Sequence, residues 1–257
     1  MTESTPVRTP RHRGIYLLPN LFTTGAMFSG FYAIVASIGG SYSDAAIAVF
    51  VAALLDGMDG RVARLTGTQS EFGVQYDSLS DLVSFGLAPS LVMYTWSLSM
   101  LKEYGPLWGK IGWAAAFIYA ACAALRLARF NTQVGVADKR YFQGLASPAA
   151  AAVCMSFVWS MDKFGVGGDE VCFFTPFMAA TVGLLMVSRF RYYSFKSLPM
   201  GERDRVPFLW VIAALLILIP FFVDPPRMLF VVFTLYLLSG PAMTLWGRAT
   251  RRRRGVA

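Results

Sequence analysis

The sequence predicts an all-α integral membrane protein with about eight transmembrane helices, on three observations. Hydrophobic residues make up 56% of its 257 positions and charged residues only 15%, and the mean hydropathy is +0.51. A soluble domain with a single core does not have that balance. Apolar runs long enough to cross a bilayer recur along the chain. The cationic residues are also segregated. With eight spans, nineteen lysines and arginines fall in the segments on one side, while only Lys102, Lys110, Lys163 and Arg227 fall on the other. By the positive-inside rule, the rich side is cytoplasmic and holds both termini.

In order, residues 1–14 are polar and basic (Arg8, Arg11, Arg13) and read as a cytoplasmic tail, with His12 solvated among the arginines. The first apolar run is too long for a cleaved signal and is read as a retained span. The expected spans are 16–38, 44–63, 78–100, 107–129, 146–161, 171–189, 207–223 and 227–246. Pro148, Pro176 and Pro241 mark helix starts or kinks. Residues 201–247 therefore form two further C-terminal helices, and 248–257 a basic cytoplasmic tail with Arg251 to Arg254 as a topology anchor. The tryptophans near span ends fit an interfacial belt. Cys122, Cys154 and Cys172 lie inside apolar runs without ligand spacing and read as packing residues. The net charge of +8 suits anionic lipid, not nucleic acid.

One polar block interrupts this pattern. Asp56-Gly-Met-Asp59-Gly60-Arg-Val-Ala63-Arg64 is followed by Gly73-Val-Gln-Tyr-Asp77-Ser-Leu-Ser-Asp81. On a helix Asp56 and Asp59 share a face, and Gly73, Asp77 and Asp81 form a stripe. Two facing helices would bring four carboxylates to one point. Such a group is unfavourable without cations, and an all-oxygen donor set suits Mg²⁺, Mn²⁺ or Ca²⁺. Because Mg²⁺ is usually shared with substrate phosphates, a phosphate-bearing substrate is implied, with Arg64 as a phosphate partner. The plain alternative is a solvated loop between two spans.

The block matches D-x2-D-G-x2-A-R-x8-G-x3-D-x3-D at every position and resembles the signature of the CDP-alcohol phosphotransferase family. The strings Arg126-Leu-Ala-Arg129-Phe-Asn131, Phe142-x-Gly144-Leu-x-Ser147-Pro148-Ala-Ala and Tyr193-Ser-Phe-Lys196 resemble that family's phosphatidylserine synthase branch. One departure is Ala26, where that branch often carries asparagine.

The resemblance implies a six-helix core over 15–200 and transfer of a phosphatidyl group from CDP-diacylglycerol to L-serine, releasing CMP. It further implies two Mg²⁺ or Mn²⁺ ions held by Asp56, Asp59 and Asp77 with Asp81, and Asp81 as general base. Gly60, Arg64, Ser70 and Asn20 are then expected on the nucleotide side. Arg126, Arg129, Asn131 and Lys196 are the candidates for holding serine, a zwitterion. A homodimer in the inner (cytoplasmic) membrane is also expected. The same chemistry with glycerol 3-phosphate or an inositol phosphate stays open. A membrane prenyltransferase would show two separated Asp motifs instead of one block, and a cation transporter would carry its carboxylates near mid-bilayer.

Overall fold

A computed structural model describes residues 17–68, 70–132, 141–193 and 221–254. The N-terminal tail, Lys196 and most of the expected span 207–223 lie outside the described residues. The described elements are α1 (Leu17–Ile38), α2 (Tyr42–Thr66), α3 (Glu71–Asp81), a π-helical segment (Leu82–Leu87), α4 (Ala88–Trp96), a 3₁₀ segment (Leu98–Tyr104) and α5 (Pro106–Thr132). They continue with β1 (Tyr141–Gln143), α6 (Ser147–Lys163), α7 (Thr175–Val187), β2 (Arg191–Tyr193) and α8 (Pro225–Arg254). Among the described residues, four helical stretches are long and apolar enough to span a bilayer: 18–38, 71–104, 106–132 and 225–245. The expected spans at 44–63, 146–161 and 171–189 coincide with helices that fall short of this in apolarity or length. α2 carries Asp56, Asp59, Arg61 and Arg64, while α6 and α7 are 17 and 13 residues long.

At the centre stands α6, buried without a break from Ala150 to Val158. A helix apolar on all sides belongs inside a bundle. It packs on α2 and α8, while α1 lies along α2 and α3, and α5 along α7. The small residues Ala45, Ala46, Ala48 and Ala52 are buried in α2 and let neighbouring backbones approach. The start of α2 is capped from α6, because Asp162 Oδ2 accepts from the Ser43 backbone N–H at 3.1 Å and from its hydroxyl. This satisfies a donor that every helix start leaves open. The three cysteines are all buried.

The π segment follows directly on Asp81, and its cause lies in the sequence. Pro89 has no N–H, so the Phe85 carbonyl four residues back loses its helical donor. The Tyr119 hydroxyl from α5 donates to that carbonyl at 3.2 Å. The Ala88 N–H reaches back to the Val83 carbonyl, one residue further than in an α-helix. Single-turn π segments are frequent beside functional sites.

α1 docks onto this region through hydroxyls. Ser80 Oγ donates to the Thr23 carbonyl and Ser84 Oγ to the Ala26 carbonyl, both at 3.0 Å. Gly30 makes the approach possible, since a Cβ there would lie 2.7 Å from Ser84 Cα. The Gly30→Val protein is therefore expected to lose about 1–3 kcal/mol of stability, read as a lowered Tm in detergent; an unchanged Tm would mean that the helices separate without cost.

On the side of the chain that carries Arg129 and Arg191, β1 pairs antiparallel with β2, Phe142 opposite Tyr192 and Gln143 opposite Arg191. Gly144, at φ +80°, is pressed against the Met186 carbonyl, so both its conformation and its lack of Cβ are required. Tyr192 is fully buried, packs against Gly240 of α8 and donates to the Leu237 carbonyl at 3.2 Å.

Candidate active site

The acidic block folds as its spacing predicts, with Asp56 and Asp59 in the last part of α2 and Asp77 and Asp81 on α3. The turn between the helices is built from local signals. Gly67 closes α2 in the left-handed conformation, at φ +63°. Ser70 then caps α3, its Oγ accepting from the Gly73 N–H at 3.0 Å. A Cβ at Gly73 would lie 3.1 Å from that Oγ and 3.7 Å from Asn20 Oδ1. Gly73 thus leaves room for the cap and for α1 to bring Asn20 alongside.

Carboxylate oxygens of Asp56, Asp59 and Asp77 lie within 4.8 Å of one another. Asp81, one turn further along α3, lies within electrostatic reach of Asp56, Asp77 and Arg126. The four-carboxylate point expected from spacing is therefore three carboxylates with a fourth adjoining. The displacement follows from the helix, since four residues advance about 6 Å along its axis. Asp59 is only 6% exposed, and its Oδ2 accepts from Thr23 Oγ1 at 2.8 Å.

Asp77 Oδ1 and Asp81 Oδ1 are buried and make no hydrogen bond. Buried oxygens of this kind are normally satisfied, and here a cation would do so. The donor set fits a hard divalent ion: it is all oxygen, it is anionic, and its members are within bridging reach.

The other expected residues divide. Gly60 and Arg64 are exposed at the end of α2, a Cβ at Gly60 would meet nothing within 4 Å, and Arg64 Nε donates to the Gly60 carbonyl at 2.8 Å. Ser70 is exposed, and Asn20 is half-buried beside it. On α5, Arg126 lies within electrostatic reach of Asp81. Its Nη1 donates to Ser147 Oγ at 2.9 Å, and its Nε is buried without a hydrogen bond. Arg129 is turned to Gln143 Oε1 and the Val187 carbonyl, which tie α5 to β1 and α7. Asn131 Nδ2 donates to Ser78 Oγ at 2.9 Å, bracing α5 against α3.

Two contributors escaped the sequence reading. Thr23 lies in the first turns of α1, within an apolar run, and its partner is 36 residues away. Ser147 reads as a helix start before Pro148, although its hydroxyl holds Arg126.

Comparison with known proteins shows the family of the chain. Residues 16–187 match the family model for CDP-alcohol phosphatidyltransferases. A CDP-diacylglycerol–serine O-phosphatidyltransferase of Helicobacter pylori (strain ATCC 700392 / 26695) is 37% identical over 227 residues, covering 88% of this chain and 90% of its own. One of the same name from Mycobacterium bovis is 35% identical over 188 residues, covering 70% and 63%. An archaetidylserine synthase of Methanothermobacter thermautotrophicus is 34% identical over 177 residues, covering 68% and 69%. The matched stretch holds all four aspartates together with Arg126 and Ser147, and the chain belongs to the CDP-alcohol phosphatidyltransferase family.

Proposed function

We infer that this chain transfers the phosphatidyl group of CDP-diacylglycerol to the hydroxyl of L-serine, giving phosphatidylserine and CMP. The observation that carries this is the meeting of Asp56, Asp59 and Asp77 in a chain 37% identical, over 88% of its length, to a serine O-phosphatidyltransferase. The new bond joins the serine oxygen to the lipid-side phosphorus, and the phosphorus–oxygen bond to CMP breaks.

In this reading Asp56, Asp59 and Asp77, with Asp81, hold the ions. When bound there, a pair of Mg²⁺ or Mn²⁺ ions supplies charge neutralisation at the diphosphate and at the departing CMP. Asp81 takes the proton of the serine hydroxyl. Its electrostatic reach to Arg126 supports this role: serine carries hydroxyl and carboxylate on adjacent carbons, so base and cation must lie near one another. Gly60, Arg64, Ser70 and Asn20 lie on the nucleotide side. The open space at Gly60 and the exposed guanidinium of Arg64 support that placement. Arg129 and Asn131 hold the acceptor pocket's walls, while Lys196 belongs to the acceptor set as a cation on the cytoplasmic side of the sequence pattern.

We place the protein in the inner membrane with eight spans, a six-helix core over 15–200 and two C-terminal helices. The site and both termini are then cytoplasmic, which the bias of basic residues supports. A homodimer belongs to the same reading on the family resemblance.

The test incubates purified protein with CDP-diacylglycerol and L-serine, glycerol 3-phosphate or an inositol phosphate, with and without chelator. Phosphatidylserine and CMP are expected with serine only, and neither product after chelation. Product with another acceptor would reassign the alcohol, and chelator-resistant turnover would remove the metals. Thr23→Val is expected to weaken Mn²⁺ binding by about 10-fold or more, as loss of a group orienting a ligand does. Titration with Mn²⁺ reads this directly, and unchanged affinity would show that Thr23 does not orient Asp59.

A further inference from the structure

Pro241 lies inside α8. Having no N–H, it leaves the Leu237 carbonyl, four residues back, without its helical donor. The Tyr192 hydroxyl of β2 donates to that carbonyl at 3.2 Å. The same arrangement stands after Asp81, where the Tyr119 hydroxyl takes the Phe85 carbonyl freed by Pro89. A carbonyl left without a donor in apolar surroundings is costly, so each proline makes its helix depend on a tyrosine from another element. Gly240, next to the proline, is buried, and a Cβ there would collide with the Tyr192 ring. The Tyr236 ring lies 5.5 Å from that of Tyr192. α8 therefore carries a seat that fits this one side chain, in ring and hydroxyl alike.

From this seat a short, hydrogen-bonded path leads to Arg126. Tyr192 lies opposite Phe142 in the β1–β2 pairing. Beyond β1 the Gly144 N–H donates to the Phe190 carbonyl at 2.9 Å, and the Leu145 N–H to the Leu185 carbonyl at 3.0 Å. Two residues later Ser147 opens α6 and accepts from Arg126. Arg129, one turn further along α5, is held by Gln143 of the same hairpin. Both α5 arginines thus rest on the segment that Tyr192 anchors. α8 also reaches Arg126 more directly, since Tyr236 lies within electrostatic reach of it.

We propose that Tyr192 is a positioning residue for the acceptor alcohol: seated on Gly240 and Leu237, it clamps the β1–β2 hairpin to α8 and so holds Ser147 and Arg126 where serine's carboxylate is bound. Tyr192 and α8 both lie beyond the family-matched stretch 16–187. The matched core therefore depends on the last helix for the placement of its acceptor cation. The proposal rests on the serine phosphatidyltransferase reading and on Arg126 as the cation for serine.

The test measures KM for serine and for CDP-diacylglycerol in the full-length wild type, Tyr192→Phe, Arg126→Gln and the double variant. Tyr192→Phe keeps the ring at Gly240 and removes only the hydroxyl. It is expected to raise the KM for serine about 3–10-fold, the equivalent of one hydrogen bond, and to leave the KM for CDP-diacylglycerol within about two-fold of wild type. A merely structural role would lower Tm and, through loss of folded protein, kcat, but would leave both KM values alone. In the Arg126→Gln background the same substitution is expected to add less than about two-fold, because the residue it acts through is gone. An unchanged serine KM in Tyr192→Phe, or a rise that multiplies in full onto that of Arg126→Gln, would overturn the proposal. Adding Pro241→Ala to Tyr192→Phe separates the clamp from repair of α8. The restored N–H should return Tm toward wild type while the serine KM stays raised, and recovery of both would overturn the clamp. Absence of CMP release from wild type with serine would instead overturn the phosphatidyltransferase reading.

Discussion

The Asp81→Asn protein is expected to bind divalent ion and CDP-diacylglycerol yet release CMP about 10²–10⁴-fold more slowly than wild type, the usual contribution of a positioned base. Asparagine keeps the shape of the side chain and one oxygen, so Asp56, Asp59 and Asp77 retain their mutual approach within 4.8 Å. What it lacks is the ability to take a proton. Asp81 Oδ1 has no hydrogen bond in the protein, so the substitution breaks no internal bond at that atom. The loss should therefore fall on turnover and not on folding. Single-turnover CMP release, paired with a Mn²⁺ titration, separates the two. Turnover within a few-fold of wild type would remove Asp81 as the base, whereas loss of ion binding together with turnover would make it chiefly a ligand.

Arg126→Gln is expected to raise the KM for serine by about 10–100-fold, since a hydrogen bond to a charged partner contributes roughly 1.5–3 kcal/mol, while leaving the KM for CDP-diacylglycerol near the wild-type value. Arg126 is held by Ser147 and lies within electrostatic reach of Asp81, so it is presented to the site as a fixed cation. Ser147→Ala should produce a smaller rise in the same constant, because the guanidinium would remain but lose its anchor. A rise in the KM for CDP-diacylglycerol instead would move Arg126 to the nucleotide side. Arg129 is the control within the same helix. Its guanidinium is turned to Gln143 and the Val187 carbonyl, so Arg129→Gln should act through the β1–α7 junction and lower Tm before it affects serine.

The acidic block was legible in the sequence because helical periodicity is local. Spacings of three and four residues put Asp56 with Asp59, and Gly73 with Asp77 and Asp81, wherever the helices themselves lie. The alternation of apolar runs that marks the chain as a membrane protein is equally local, whereas Ser70, expected only on the nucleotide side, is also the cap of α3. Pro89 shows an intermediate case. Its missing N–H predicts a disturbed helix, but not that Tyr119 would satisfy the Phe85 carbonyl or that the helix would widen next to Asp81.

What the residues alone determined was therefore the chemistry available: an oxygen-only anionic cluster at the end of an apolar helix, in a chain built for a bilayer. Tertiary structure decided which groups complete it. Thr23 reaches Asp59, Ser147 orients Arg126, and Asn131 braces α3 through Ser78. Each of these depends on how separate helices dock, and docking is governed by packing between residues far apart in sequence, for which no spacing rule exists.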